Sequence, residues 1–326
     1  MVMTFGALAS LTFALLPNIV WIVGFLISRI MGKRLRYAPF GYVSIALALI
    51  VAASIAYGHW FGRWHLRVKE IEYHNDRLPA IFSGFRIVHI SDLHLSSFND
   101  NPEKLQTFVD TINARRPDLV CFTGDLVTIG KEEAEPYTQV LKGIDATYGV
   151  FSVFGNHDLL IYNSRLTDRE RPGAVEEMAR YQRDELGWTL LRDSSKVIRA
   201  SDGSTITIIG VNNKNCTEYG LKTINVGDLP KAMEDVGGFS ILLSHDPSHW
   251  DAEILPYTDI PLTLSGHTHA AQFSIFGWNP STWLFKRGYG LYVEDGQTLY
   301  VNPGLGCTIL PFRVGARPEI TVITLS

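Results

Sequence analysis

Acidic residues are missing from the first fifth of the chain. No Asp or Glu precedes Glu70, although thirty-three follow from there on. Charge is sparse throughout: 19% of residues are charged, against roughly 25% in an ordinary soluble domain. With 46% hydrophobic residues, that balance excludes a disordered chain. Cysteine is scarce as well. Cys121, Cys216 and Cys307 are far apart, which excludes a disulfide-stapled miniprotein and a thiolate metal site. No internal repeat and no low-complexity stretch occurs. The net charge of −4 hides a split. Seven basic residues (Arg29, Lys33, Arg34, Arg36, Arg63, Arg67 and Lys69) make residues 1–69 strongly positive, and the remaining twenty-two basic residues face all thirty-three acids. An acidic body of this kind argues against a nucleic-acid-binding surface, which needs a basic patch, and suits a protein that collects divalent cations.

Long apolar runs fill the positive segment. Residues 1–28 carry no formal charge, and Phe5 to Ile27 is mostly aliphatic and aromatic. Residues 37–62 are again uncharged, and Ser44 to Ala56 is almost wholly apolar. A bilayer span needs about 20 such residues. The pattern predicts two transmembrane helices, over 4–28 and 40–58, with Pro17 and Asn18 able to kink the first. Trp21, Tyr37, Tyr57, Trp60 and Trp64 fall where interfacial aromatics sit. A cleaved signal peptide would begin with a basic region, and none is present. The expected organisation is a membrane anchor at 1–62, a linker and entry to the domain at 63–83, and the main domain at 84–326. Arg29, Lys33, Arg34 and Arg36 lie between the spans, which places that loop in the cytoplasm and the main domain outside it. Arg63, Arg67 and Lys69 pull the other way.

The rest of the chain reads as one α/β domain. Strands are expected at 85–90, 119–122, 150–154, 205–211, 240–243, 261–264 and 320–325, with a hairpin pairing 291–293 and 298–301 across Asp295-Gly296. Helices are expected at 102–114, capped by Asn101 with Pro102 in the first turn, and at 174–186.

Five of the apolar runs end in polar clusters: Asp92-Leu93-His94, Gly124-Asp125, Gly155-Asn156-His157-Asp158, His245, and Gly266-His267-Thr268-His269. Five of the ten histidines lie in these clusters. Sites in α/β sheets form beyond the carboxyl ends of strands, so the five ends can converge. Asp92 and His94, like His267 and His269, are two apart and can face one side of an extended chain. Each cluster alone has an ordinary reading as a turn, a surface pair or a buried histidine. Together they supply Asp92, His94, Asp125, Asn156, His245, His267 and His269 as oxygen and nitrogen donors, which suit Mn, Fe, Zn or Co and not calcium. Seven donors exceed one ion's needs. With Asp125 shared, each of two divalent ions receives four.

This ordered set resembles the calcineurin-like metallophosphoesterase superfamily, over residues 84–326. Ser91-Asp92-Leu93-His94-Leu95 and Arg317-Pro318-Glu319-Ile320 resemble its membrane-associated bacterial branch, which takes in phosphodiesterases and a pyrophosphatase of UDP-diacylglucosamine. The resemblance implies a four-layer α/β/β/α sandwich of two mixed sheets behind the two transmembrane helices. It implies one metal on Asp92, His94, Asp125 and His269, and a second on Asp125, Asn156, His245 and His267. His157 would meet the phosphate and protonate the leaving group, and Asp158 would orient its ring. The implied function is dinuclear metal-dependent hydrolysis of a phosphodiester or pyrophosphate by a hydroxide held between the metals, in a multi-pass protein of a bacterial cell membrane. The substrate would belong to the membrane or envelope and could be lipid-linked. The alternative is a catalytically silent, membrane-anchored metal-binding or scaffold protein. Two features depart from the branch: Ala270 and Ala271 replace a pair of glycines, and Thr128 replaces an acid. Between the last cluster and the hairpin, Phe273, Ile275, Phe276, Trp278, Trp283, Leu284 and Phe285 read either as core packing or as an apolar lip for a lipid chain, beside Lys286 and Arg287 as phosphate contacts.

Overall fold

The computed structural model describes residues 2–99, 101–216 and 225–326. Met1, the first residue of the expected anchor, and residues 217–224 of the expected catalytic domain lie outside the described residues.

Two long helices come first, α1 (Val2–Ile30) and α2 (Ala38–Trp60). The helix of α1 continues through Pro17. Asn18 explains part of the hairpin's register. Its Nδ2 donates to the Ser44 hydroxyl at 3.0 Å, and its Oδ1 accepts from the Tyr37 hydroxyl at 2.6 Å. Polar cross-links of this kind suit helices that have no hydrophobic drive to pair in lipid. The outer faces are apolar and exposed, and both helices are long and apolar enough to cross a membrane.

The strands form two six-stranded mixed sheets. The first has the order β1 (Arg67–Tyr73), β12 (Glu319–Leu325), β2 (Arg86–Ile90), β3 (Leu119–Phe122), β4 (Val150–Ser152) and β5 (Thr189–Leu190). The second has the order β10 (Gly290–Glu294), β11 (Gln297–Val301), β9 (Leu262–Ser265), β8 (Phe239–Leu243), β7 (Thr205–Gly210) and β6 (Ser194–Arg199). Alternate side chains of the two sheets meet in one apolar layer, where Ile87, Leu119 and Phe151 face Ile208, Ile241 and Leu264. On the outer face of the first sheet pack α3 (Pro102–Asn113), α4 (Thr138–Lys142) and α5 (Arg171–Arg180). The second sheet is covered by α6 (Leu229–Ala232) and by a π-turn at Trp250–Ile254 that leads into α7 (Leu255–Tyr257). The result is the expected α/β/β/α sandwich.

Segment 63–83, expected as a linker and entry to the domain, contributes β1. This strand lies parallel to β12 over its whole length, with Arg67 opposite Glu319 and Tyr73 opposite Leu325. Four of its seven residues are charged, as an edge strand tolerates, while Val68 packs on one face and Ile71 and Tyr73 on the other. Glu319 beside it has no solvent exposure. Its carboxylate accepts from the Tyr300 hydroxyl at 2.5 Å, from Tyr289 at 3.0 Å, from Thr321 at 3.0 Å and from Arg67. A buried carboxylate needs that many partners. Loss of Arg67 would leave the carboxylate without its one ionic partner, and loss of a hydroxyl would leave an acceptor unmet, at the seam between anchor and domain.

β2, β3 and β4 run parallel in the first sheet, as do β8 and β9 in the second. Their five carboxyl ends open toward one edge of the sandwich.

Candidate metal centre

All seven sequence-predicted donors gather at that edge. Their loops are zipped together by backbone bonds. Asp92 N–H donates to the Gly124 carbonyl at 2.9 Å, His94 N–H to Asp125 at 3.1 Å, and Gly266 N–H to His245 at 2.9 Å. Gly124 has φ +95°, and a Cβ there would run into the Gly155 backbone, so only glycine fits. Asp92, His94, Asp125, His267 and His269 also hold positive φ. Such strain in non-glycine residues clusters at functional sites.

Two trios of ligand atoms result. One is Asp92, His94 and His269, and the other is Asp125, His245 and His267; the atoms within each lie within 4.8 Å of one another. In the first, His94 Nε2 is 3.1 Å from His269 Nε2, and His269 Nε2 is 3.2 Å from Asp92 Oδ1. Asp125 stands between the trios, with Oδ2 3.5 Å from His94 Nε2 and 3.2 Å from His245 Nε2. Asn156 Oδ1 joins the second at 3.1 Å from His245 Nε2. His157 with His94 and Asp125 forms a further group of the same size.

The donor set fits cations by its own chemistry. His245 Nδ1 donates to the Thr123 carbonyl at 2.7 Å, so the Nε2 of the neutral ring is a lone pair. That lone pair faces Asp125 Oδ2, Asn156 Oδ1 and His267 Nδ1, all within 3.2 Å. Acceptors so arranged repel unless positive charge sits among them. Without a metal, a proton is drawn there instead: burial opposes it, but the Asp125 carboxylate outweighs burial and pushes His245 up to about 10. Asp92 and Asp125 are held below the ordinary carboxylate range. Burial works against this, and the neighbouring imidazoles His269 and His245, respectively, prevail. Burial pushes His94 and His267 down, which keeps their lone pairs free.

Asp158 departs from its expected place. Its carboxylate does not orient His157. It accepts from the backbone N–H groups of Asp125 at 2.7 Å, Leu126 at 2.9 Å and Gly155 at 3.0 Å. Burial and the charge of Asp125 push it up to about 7, against those donors. The ring of His157 is fixed by Thr128 instead, whose carbonyl accepts from Nδ1 at 2.7 Å. His157 is partly exposed, with its ring centroid 4.7 Å from that of His94 and 4.4 Å from that of Tyr162.

Further contacts escaped the sequence reading. The Thr128 hydroxyl lies 3.3 Å from His94 Nδ1. The Asp246 carboxylate lies 3.4 Å from His267 Nε2; its position directly after His245 was the available signal. Tyr162 accepts from Asn156 Nδ2 at 3.2 Å. Arg313, buried and bonded to the carbonyls of Pro303, Gly306 and Ala316, places Nη2 3.3 Å from His269 Nδ1. Lys286 and Arg287 are engaged with carboxylates. Lys286 pairs with Asp251 at 2.7 Å, and Arg287 pairs with Asp251 at 3.1 Å and with Glu294. The aromatic stretch divides. Phe285 packs edge-on to the His267 ring at 5.4 Å, whereas Phe276 and Trp283 are exposed, which excludes core packing for those two.

The calcineurin-like phosphoesterase family matches residues 85–271. The chain is 32% identical over 290 residues to the metallophosphoesterase YkuE of Bacillus subtilis, a match covering 85% of this chain and 92% of that one. It is 28% identical over 319 residues to a transmembrane protein with metallophosphoesterase domain from Danio rerio, covering 93% and 67%. It is 27% identical over 319 residues to the UDP-2,3-diacylglucosamine pyrophosphatase LpxG of Chlamydia trachomatis, covering 81% and 92%.

Proposed function

The chain belongs to the calcineurin-like phosphoesterase family, and from that premise we propose that this metal-dependent phosphoester hydrolase uses two divalent ions to cleave a phosphodiester or pyrophosphate of a membrane-associated substrate. The observation that carries the proposal is Asp125 Oδ2, 3.5 Å from His94 Nε2 and 3.2 Å from His245 Nε2, which suits a carboxylate shared by two ions. Asp92, His94, Asp125 and His269 would hold the first ion. Asp125, Asn156, His245 and His267 would hold the second. When bound, the pair supplies a water of lowered pKa and a Lewis-acid hold on the phosphoryl oxygens.

The protein's own groups do the rest. With its Nδ1 proton committed to the Thr128 carbonyl, His157 exchanges its second proton at Nε2. The protonated ring gives that Nε2 proton to the leaving oxygen as the P–O bond breaks. Asp158 clamps the Gly155 and Asp125 loops against each other. Asp246 holds the far nitrogen of His267, as carboxylates behind metal-bound histidines do.

The substrate reading draws on the two apolar helices and on two relatives, one named as a transmembrane protein and one as a pyrophosphatase of a diacylated sugar nucleotide. The chain is read as a multi-pass protein of a bacterial cell membrane with the catalytic domain extracytoplasmic, supported by the four basic residues between the helices. The test is hydrolysis of an aryl phosphodiester and of UDP-diacylglucosamine by the full chain in detergent, stripped of metal and reloaded with Mn. Metal-dependent turnover of either supports the reading. A folded protein that carries two ions and cleaves neither overturns it.

A further inference from the structure

Two exposed apolar loops flank the metal centre; the second adjoins the end of the helical hairpin, and the first adjoins the second. The first, residues 275–284, carries Phe276, which is fully exposed, and Trp283, exposed by 72%. The second, residues 308–312, carries Ile309, exposed by 81%. Contiguous exposure of this kind is uncommon on a surface that faces only water. The second loop is docked on the hairpin. The Pro311 carbonyl bonds His59 Nδ1 at 2.8 Å, Arg313 N–H donates to the Gly58 carbonyl at 3.1 Å, and the Phe312 ring stacks on Phe5 at 6.1 Å. Phe5 lies in the first turn of α1 and is itself exposed. Phe312 therefore stands level with the apolar run of that helix.

The two loops form one surface. Ser274 N–H donates to Val314 at 2.8 Å, and Gln272 spans the gap through Leu310 at 3.0 Å and Thr308 at 2.7 Å. Gln272 follows the donor His269 by three residues, and Phe285 at the far end of the first loop touches His267. Arg67 and Arg317 border a cavity beside Phe276, so cations meet aromatics there as they do at a bilayer interface.

We infer that loops 275–284 and 308–312 are a second membrane contact, laid into the interface of the bilayer that holds α1 and α2, so that the metal centre opens at the membrane surface. This inference rests on the membrane-anchored reading above. It adds that the scissile phosphoester is reached while its lipid stays in the membrane plane. The continuity of the 308–312 loop with the hairpin selects a bilayer as the occupant.

The test is fluorescence quenching of the full chain in phosphatidylcholine vesicles whose acyl chains carry bromine near the headgroup. Wild type is compared with a Trp278→Phe, Trp283→Phe double variant, a change too small to unfold an exposed loop. The double variant should lose a quenchable part of the emission while Trp21 and Trp60 stay quenched. Loss of only unquenched emission would overturn the second contact and leave the anchor standing. If Trp21 and Trp60 also escape quenching, the membrane reading and this inference fall together. Aryl phosphodiester hydrolysis in detergent depends on neither, and so tests the enzyme reading separately.

Discussion

His157 donates through Nδ1 to the backbone carbonyl of Thr128 at 2.7 Å. A carbonyl cannot ionise and cannot be replaced by a side-chain substitution, so the tautomer of His157 is independent of Asp158. The two residues should separate by experiment. His157→Ala should keep its metal and lose about two to four orders of magnitude in kcat. Asp158→Asn keeps one acceptor oxygen and turns an NH2 either toward the Asp125 and Gly155 N–H groups or toward the Leu126 N–H. It should cost on the order of 1–3 kcal/mol of stability and weaken metal binding, with the pH profile of turnover unmoved. Metal content by elemental analysis, beside the kcat profile, decides. A shifted profile in Asp158→Asn would restore the residue to the ring of His157.

Asp125 is the next discriminating position. A carboxylate shared between two ions should cost both when removed, whereas Asp92→Ala should cost one. Full-chain Asp125→Ala is expected to carry no bound Mn after dialysis and to hydrolyse no phosphodiester. Chelation of the wild type should lower its melting temperature, because ions that bind only the native state stabilise it. An Asp125→Ala protein that retained both ions would overturn the shared ligand.

The seven donors were legible because each closes an apolar run, and a strand that ends in Asp, Asn or His at the sheet edge leaves few places for the side chain to go. The same runs marked an α/β domain, and the four layers came from the family resemblance that the clusters carry. What stayed hidden was contributed across long separations. Arg313 reaches His269 from forty-four residues away, and nothing local marks it. Asp158 sits beside His157 in sequence, yet the chain turns between them and sends the carboxylate to the Asp125 loop. β1 is mostly charged and so resembles a linker until β12 is placed beside it. Lys286 and Arg287 looked free because their partner Asp251 lies more than thirty residues earlier.

Acid should destabilise the fold through His249. This ring is buried, with Nδ1 2.9 Å from the Ser244 hydroxyl and Nε2 3.3 Å from Glu253. Burial lowers it to about 4 from 6.5; Glu253 opposes the shift, and Lys214 adds to it. The native state therefore refuses a proton that the unfolded chain binds below 6.5. Stability is intact above 6.5, falls by about 1.4 kcal/mol per pH unit as pH drops through the window, and levels off below about 4. The total is on the order of 3 kcal/mol. His249→Asn keeps an acceptor for Ser244 and cannot titrate. Denaturant unfolding at neutral and mildly acid pH should show a shallower acid loss in the variant than in wild type, and equal losses would refute the assignment.

The last prediction turns on two alanines. Ala270 and Ala271 directly follow the donor His269, with φ +48° and +53°. A left-handed conformation costs a residue with a Cβ about 1–2 kcal/mol, and glycine escapes that cost at the expense of a more flexible unfolded chain, about 0.4–1 kcal/mol. The two positions differ in surroundings. Ala270 is buried, so glycine there also forfeits a packed methyl, worth about 0.8 kcal/mol. Ala271 is exposed and forfeits nothing. Ala271→Gly should therefore stabilise the chain by about 0.5–1 kcal/mol, and Ala270→Gly should be close to neutral. Thermal unfolding of the two variants checks the ordering. Equal effects at both positions would mean that strain in this turn is not set by the local φ. A loss of metal affinity in Ala271→Gly, with stability raised, would show that the strained turn holds His269 in place at a cost in stability.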